Sequence, residues 1–300
     1  MAIQTDSHPG DARITTNTTP ARLMNDASQS VTIIKPKDGW PKVDLLEVWR
    51  YRDLLVQMVY RDFSTRYRQS VVGPSWALIH PLFSMVIHTF VFSTIARLPS
   101  DGLPYPVFNF CGSLPWIYFS GCLSKSSEST ISGNRLITKV YFPRVLLPLS
   151  KVAIGLIDLG IQFLILLALL AWYGITPSAN ILFVPVFVII ALITALSGGL
   201  WVSAIVVKYR DLRQLIQYAV QAMMWLTPVA YATSSVPDEW LFVYSLNPIV
   251  HVVDGFRWAV VGSPELNTIP LVVSILIIIP FFVSGLYFFR RSESTFADMI

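Results

Sequence analysis

The chain has 300 residues, 54% of them hydrophobic and only 13% charged, with a formal net charge of +4 and a mean hydropathy of +0.58. A soluble domain carries about 25% charged residues, so this composition excludes one. Runs approaching the roughly 20 apolar residues that cross a bilayer core predict an all-α integral membrane protein. Cys111 and Cys122 form no CxxC pair and have no neighbouring histidine, which excludes a zinc site.

Residues 1–42 are polar and rich in Thr, Ser, Asn, Asp and Pro, without the apolar core of a cleavable signal peptide. They are expected to be a disordered cytoplasmic tail. Residues 43–75 follow as an amphipathic segment, one helix or two. Leu55, Val59 and Phe63 recur every fourth residue, with Trp49, Val56 and Tyr60 widening the face. Arg61, Arg66 and Arg68 lie among the basic residues on the other side, and Asp62 and Arg66 have the spacing of a surface ion pair. Cations beside an apolar face suit a helix lying in the membrane interface against anionic headgroups. The alternative is a solvated helix on a soluble domain.

Gly73-Pro74 ends this segment, and a six-span membrane domain is predicted over residues 76–300. The first span runs from about Trp76 to Ile95. The second, about Leu103 to Leu123, is expected to be irregular because Pro104, Pro106, Gly112, Pro115 and Gly121 interrupt it. The third to sixth run over about 146–172, 181–207, 212–232 and 269–289. Between spans two and three, residues 131–144 read as a short charged helix. Leu136, Ile137, Val140 and Tyr141 share one face, Ser132 or Asn134 caps its start and Pro143 stops it. Between spans five and six, Pro237–Leu246 and Ile249–Val261 read as two short helices about Asn247-Pro248, a re-entrant periplasmic pair in which Asp254 and Arg257 are one turn apart.

Charge placement orients this topology. With both termini cytoplasmic, all of the 22 Lys and Arg residues except Arg97 and Arg257 lie on the cytoplasmic side, as the positive-inside rule requires. The 131–144 helix then faces the cytoplasm, either as a docking element for a soluble partner or as a plain connector resting on the headgroups.

Several blocks resemble the permease subunit of type-2 ABC exporters of polysaccharides (O-antigen, capsule and teichoic-acid types). They are Arg66-Tyr67-Arg68-Gln69-Ser70-Val71-Val72-Gly73-Pro74-Ser75-Trp76 with His80-Pro81, and the run Leu136 to Arg144 with Leu147-Pro148. Tyr209-Arg210-Asp211-Leu212, Thr227-Pro228-Val229-Ala230-Tyr231, Asn247-Pro248 and Gly255-Phe256-Arg257 follow in order. The resemblance covers about Val43 to Phe289. It implies a half-transporter: two copies form the pore and two ATPase subunits bind their cytoplasmic face. It makes Arg135, Leu136, Ile137, Lys139, Val140, Tyr141, Phe142 and Arg144 the ATPase-coupling element, and the preceding amphipathic helix an interface gate. It implies export of a lipid-linked polysaccharide across the bacterial inner membrane. A type-2 exporter of a drug or other lipid is the alternative. The chain has no GxxxxGK[ST] phosphate loop, so ATP and Mg are expected on the partner, with no cofactor on this chain and no nucleic-acid partner.

Candidate substrate-path residues come from the spans. Gln214, Gln217 and Gln221 share a helical face with Tyr218 and Trp225, and a polar stripe at membrane depth faces a cavity or another helix. Amides bond sugar hydroxyls and aromatic rings stack on pyranose faces; the same glutamines also suit plain interhelical bonding. Trp116 and Tyr118 are either interfacial belt or channel wall. His88, near the middle of span one, is a packing or cavity-lining group. Asp158 has no evident basic partner in the neighbouring spans, which favours a structural role over a proton relay. With only Asp158, His80 and His88 ionisable in the apolar spans, an intramembrane enzyme or proton-coupled carrier is disfavoured.

Overall fold

The computed structural model describes residues 45–67, 76–133, 136, 140–263, 266 and 268–299. The predicted tail, Arg68, Arg135, Ile137 and Lys139 lie outside them. All regular structure among the described residues is helical.

The amphipathic segment is two helices, α1 (Leu45–Arg50) and α2 (Arg52–Tyr67). The first span begins as α3 (Trp76–His88) and continues as a π-helix, Thr89–Ile95, closed by the Ala96 amide bonding the Val91 carbonyl at 2.9 Å. Next comes α4 (Tyr105–Ser132), one continuous helix of 28 residues where the sequence suggested a broken span. Pro104 and Pro106 sit at its start, where the fixed φ is preorganised and no helical hydrogen bond is lost. Only Pro115 falls in its interior, and the surrounding bundle supports the helix there. α4 is buried over most of its length by α5 (Leu146–Trp172), α6 (Val184–Lys208) and α9 (Pro248–Val261). It is the central post of the fold.

A 3₁₀ turn, Ala179–Phe183, leads into α6. After α7 (Leu212–Trp225) the chain unwinds, then forms α8 (Asp238–Ser245) and α9. Asn247 caps α9, its side-chain oxygen accepting from the Ile249 amide at 3.3 Å, and Gly262 ends it at a left-handed φ of 77°. The last helix, α10 (Thr268–Met299), packs on α6 and runs well past the predicted limit of the sixth span.

Four helical stretches among the described residues are long and apolar enough to cross a membrane: Leu78–Ile95, Leu146–Trp172, Ala179–Lys208 and Thr268–Glu293. α4 is long enough but carries a polar C-terminal third, Ser124 to Ser132, and α7 is only 14 residues long.

Candidate functional site

The sequence predicted a helix over 131–144, of which the structure describes residues 131–133, 136 and 140–144. Ile131 and Ser132 end α4, and Ser132 bonds back to the Ser129 carbonyl at 3.2 Å instead of capping a new helix. The Val140 amide bonds the Leu136 carbonyl at 3.1 Å, leaving a helical trace there, while residues 141–143 are non-helical. Pro143 therefore begins the turn into α5 rather than stopping a helix.

This segment is anchored on two sides. Phe142 is 3% exposed and packs with Met58 of α2, Leu146 and Leu147. The Tyr141 hydroxyl lies 3.4 Å from the Glu47 carboxylate of α1. Partial burial, and then that carboxylate, push the phenol above its ordinary range. The Arg144 amide donates to Glu293 Oε1 at 3.3 Å, its guanidinium donates to the Glu293 carbonyl at 2.5 Å, and it lies over the Phe296 ring at 5.9 Å. Arg290 pairs with Glu293 at 3.2 Å and approaches Glu47 at 3.9 Å. α1, the 140–147 segment and the end of α10 therefore meet at one junction. Of the predicted coupling residues described, Val140 and Tyr141 are exposed, Leu136 is half-buried on the Phe142 cluster, and Phe142 and Arg144 turn inward. The length of α10 that builds this junction was missed from sequence because Glu293 and Phe296 lie beyond its apolar stretch.

Beside the junction, α2 is tied to the bundle by ion pairs. Asp62 accepts from Lys151 of α5 and, at 3.0 Å, from Arg61. Burial alone would raise this carboxyl's pKa, but the two cations outweigh it and hold it below the usual value. Arg66 places one nitrogen 2.8 Å from both oxygens of Asp158, and Lys125 of α4 reaches the same carboxylate at 3.3 Å. Asp158 thus has two basic partners, one of them outside the neighbouring spans where a partner was sought. Arg61 and Arg66, expected against lipid headgroups, are engaged within the protein. Arg61, Asp62, Arg66, Lys125 and Lys151, with Glu128 and Ser132, line a cavity of about 420 Å³.

A separate cleft of about 590 Å³ lies between α4 and α7, lined by Trp116, Ser120, Gln214, Gln217, Tyr218 and Gln221. It joins the polar stripe of α7 to Trp116, a pairing that helix periodicity could not supply. Other candidates lie elsewhere. Tyr118 is buried against α5, donating to the Val152 carbonyl at 3.3 Å. Trp225 packs edge-on with Phe92 at 6.1 Å, and Phe92 with His88 at 5.8 Å.

Arg257, predicted in the second short periplasmic helix one turn from Asp254, is 1% exposed and forms a hub whose other partners sequence reasoning missed. It donates to the Val229 carbonyl at 2.8 Å and the Phe108 carbonyl at 3.4 Å, covers the Phe108 ring at 3.9 Å, and lies 3.5 Å from Asp254. Asn109 also donates to Val229 at 3.4 Å, and Tyr105 donates to Ala230 at 2.5 Å. These donors satisfy the backbone freed where α7 unwinds at Thr227-Pro228, as a buried carbonyl requires. The available signal was Gly112, where a side chain would run into the guanidinium.

A helical bundle with four stretches long and apolar enough to cross a membrane, and polar clefts against its central post, is that of a multi-pass membrane protein. The chain belongs to the ABC-2 type transporter family, whose model matches residues 53–261. It is 29% identical over 259 residues to an O-antigen export system permease protein, RfbA, of Myxococcus xanthus, covering 85% of this chain and 98% of that one. A protein of the same name from Klebsiella pneumoniae is 29% identical over 255 residues, covering 83% and 95%. The polysialic acid transport protein KpsM of Escherichia coli is 23% identical over 205 residues, covering 67% and 78%.

Proposed function

We propose that this chain is the permease subunit of an ATP-driven exporter that moves a lipid-linked polysaccharide across the bacterial inner membrane. Two copies form the pathway and two copies of a separate ABC ATPase drive it, binding Mg-ATP themselves. Each permease copy crosses the membrane six times with both termini in the cytoplasm. α4 and the α7 region supply the second and fifth crossings, and α8 and α9 form the re-entrant outer pair.

The observation that carries this reading is the α4–α7 cleft. Three amides and two aromatic residues converge there in a chain whose relatives of nearly equal length are named for O-antigen export. Amides exchange hydrogen bonds with hydroxyls along a sugar chain, and a ring face accepts the apolar side of a pyranose. Neither group grips a single residue tightly, which suits a polymer that must slide.

The 140–147 segment supports the energetic half of the reading. Val140 and Tyr141 present an exposed apolar patch, and Phe142 and Arg144 fasten that patch to α1, α2 and α10. A push on the patch is therefore transmitted to three elements rather than absorbed by a loose loop.

The test is deletion of the gene followed by complementation. Loss of surface polysaccharide with lipid-linked polymer accumulating inside, restored by wild type but not by Gln214→Leu/Gln217→Leu/Gln221→Leu, is the expected result. Unchanged surface polysaccharide in the deletion strain refutes the assignment.

A further inference from the structure

The contact between α4 and α5 follows the same spacing on both helices. Tyr118, Gly121, Cys122 and Lys125 on α4, and Gly155, Asp158, Leu159 and Gln162 on α5, stand at offsets of three, four and seven. Such positions share one helical face. The helices approach closely at Gly155, where a Cβ would lie 2.6 Å from Cys122 Sγ and 3.0 Å from the Tyr118 ring. Between the two faces lies a cavity of about 90 Å³, lined by these eight residues and Ile117.

Its polar groups are incompletely paired. Gln162 is 5% exposed, and its Oε1 is buried without a hydrogen-bond partner among the described residues. A buried amide oxygen left in that state is costly, so the site calls for a donor. Lys125 and Asp158 bond each other on the same cavity at 3.3 Å. An ammonium has three donors and an ionised carboxylate about four acceptor positions. Asp158 takes two contacts from Arg66 and one from Lys125, which leaves it room for another donor. Tyr118 has already committed its proton to the Val152 carbonyl.

The lining selects the occupant. The volume lies far below the about 300 Å³ at which small-molecule pockets begin, which excludes a sugar or a lipid headgroup. Lys125 and Asp158 are of opposite sign, so neither a cation nor an anion is favoured. Polar side-chain atoms on Tyr118, Cys122, Lys125, Asp158 and Gln162 exclude hydrocarbon. Water fits each requirement: it donates to Gln162 and Asp158 and accepts from Lys125. That meets the two to four partners an internal water needs, and at about 30 Å³ each the volume admits two or three. Lys125 also lines the 420 Å³ cavity, where Arg61 is 54% exposed, so solvent reaches the inner site past the ammonium.

We infer that the cavity between α4 and α5 is an internal hydration site, in which two or three ordered waters join Gln162 Oε1 to the Lys125–Asp158 pair. The carboxylate that anchors α2 is then solvated from inside the bundle, and release of Arg66 leaves it wet rather than stranded against apolar walls. This inference is independent of the transport reading.

The test is radiolytic hydroxyl-radical footprinting of the full chain in lipid nanodiscs, because radicals formed from a retained water oxidise the side chains beside it. Cys122 and Cys111 have the same chemistry and are 1% and 0% exposed, but only Cys122 lines the cavity. The expected result is oxidation of Cys122 at least tenfold faster than Cys111. Gln162→Met, which keeps the bulk and removes the acceptor, brings Cys122 down to the Cys111 rate, and Gln162→Glu, which keeps an acceptor, retains the fast rate. Equal rates for the two cysteines in the wild type overturn the proposal whether or not the variants fold. So does a fast rate that survives Gln162→Met. Amide exchange measured on the same wild-type sample separates bound water from helix opening. Exchange over residues 118–126 as slow as over 107–114 upholds the site, and faster exchange at 118–126 overturns it, since bulk water then reaches Cys122 through the opened helix.

Discussion

Replacing Asp158 by Asn tests the attachment of α2 to the bundle. The substitution keeps the shape of the side chain, removes its charge, and leaves Arg66 and Lys125 facing each other without their shared acid. At an effective dielectric constant of about 20, contacts at 2.8 and 3.3 Å carry gross Coulomb energies of about 6 and about 5 kcal/mol. Desolvation and screening cancel most of this. Fully exposed pairs contribute about 0.2–1 kcal/mol, and breaking a buried pair costs about 3–5 kcal/mol. Asp158 is 18% exposed and its partners 32% and 39%, so the net loss falls between these limits, at about 2 kcal/mol. At about 1.4 kcal/mol per decade, that is roughly a 30-fold rise in the population with α2 released. Hydrogen exchange in lipid nanodiscs measures it directly, as faster exchange over residues 52–67 with α5 and α6 unchanged. Asp53→Asn is the control, because that side chain is 87% exposed and 3.8 Å from Arg52. Equal protection of α2 in wild type and Asp158→Asn refutes the claim that this carboxylate holds the helix.

Phe142→Ala removes the ring beneath α2 and is expected to cost about 3–5 kcal/mol locally, read as a lower Tm and loss of protection over residues 45–58. Gly112→Ala drives a methyl into the Arg257 guanidinium and is expected to destabilise by about 1–3 kcal/mol; Gly121→Ala, with open space around its Cβ, is expected to be neutral or slightly stabilising in the same thermal-unfolding assay. The Asp62 pair predicts a particular pH dependence. Its folded pKa lies below the ordinary 3.8, so its stabilisation is complete at neutral pH and disappears as pH falls below about 4 through the lowered value. Protection of α2 that instead fell between pH 7 and 5 would point to another group.

Helix existence and approximate extent were legible in the sequence wherever apolar residues alone decide them. α5 coincides with the predicted third span, and α8 and α9 with the predicted pair about Asn247-Pro248. Proline-rich α4 was misread as broken, because the cost of Pro115 depends on neighbours that its own sequence does not reveal. Of the predicted 131–144 helix, residues 141–143 are non-helical, because Phe142 turns in against Met58 of α2, a tertiary contact that helical spacing cannot register. Of the candidate substrate-path residues, Trp116 joins Gln214, Gln217, Tyr218 and Gln221, whereas Tyr118, His88 and Trp225 face other neighbours.

By itself, the sequence determined that this chain lives in a membrane as a set of helices. Apolar length and missing charge are local properties, and a bilayer admits few ways to satisfy the backbone. Only the tertiary structure decided which charges find each other: Arg66 with Asp158, Arg144 with Glu293, Arg257 with the unwound carbonyl of Val229. Those partners are separated by 92, 149 and 28 positions in the chain, and no periodic pattern spans such intervals. Burial makes a charge find a partner, but the packing of α4 against its neighbours determines which one.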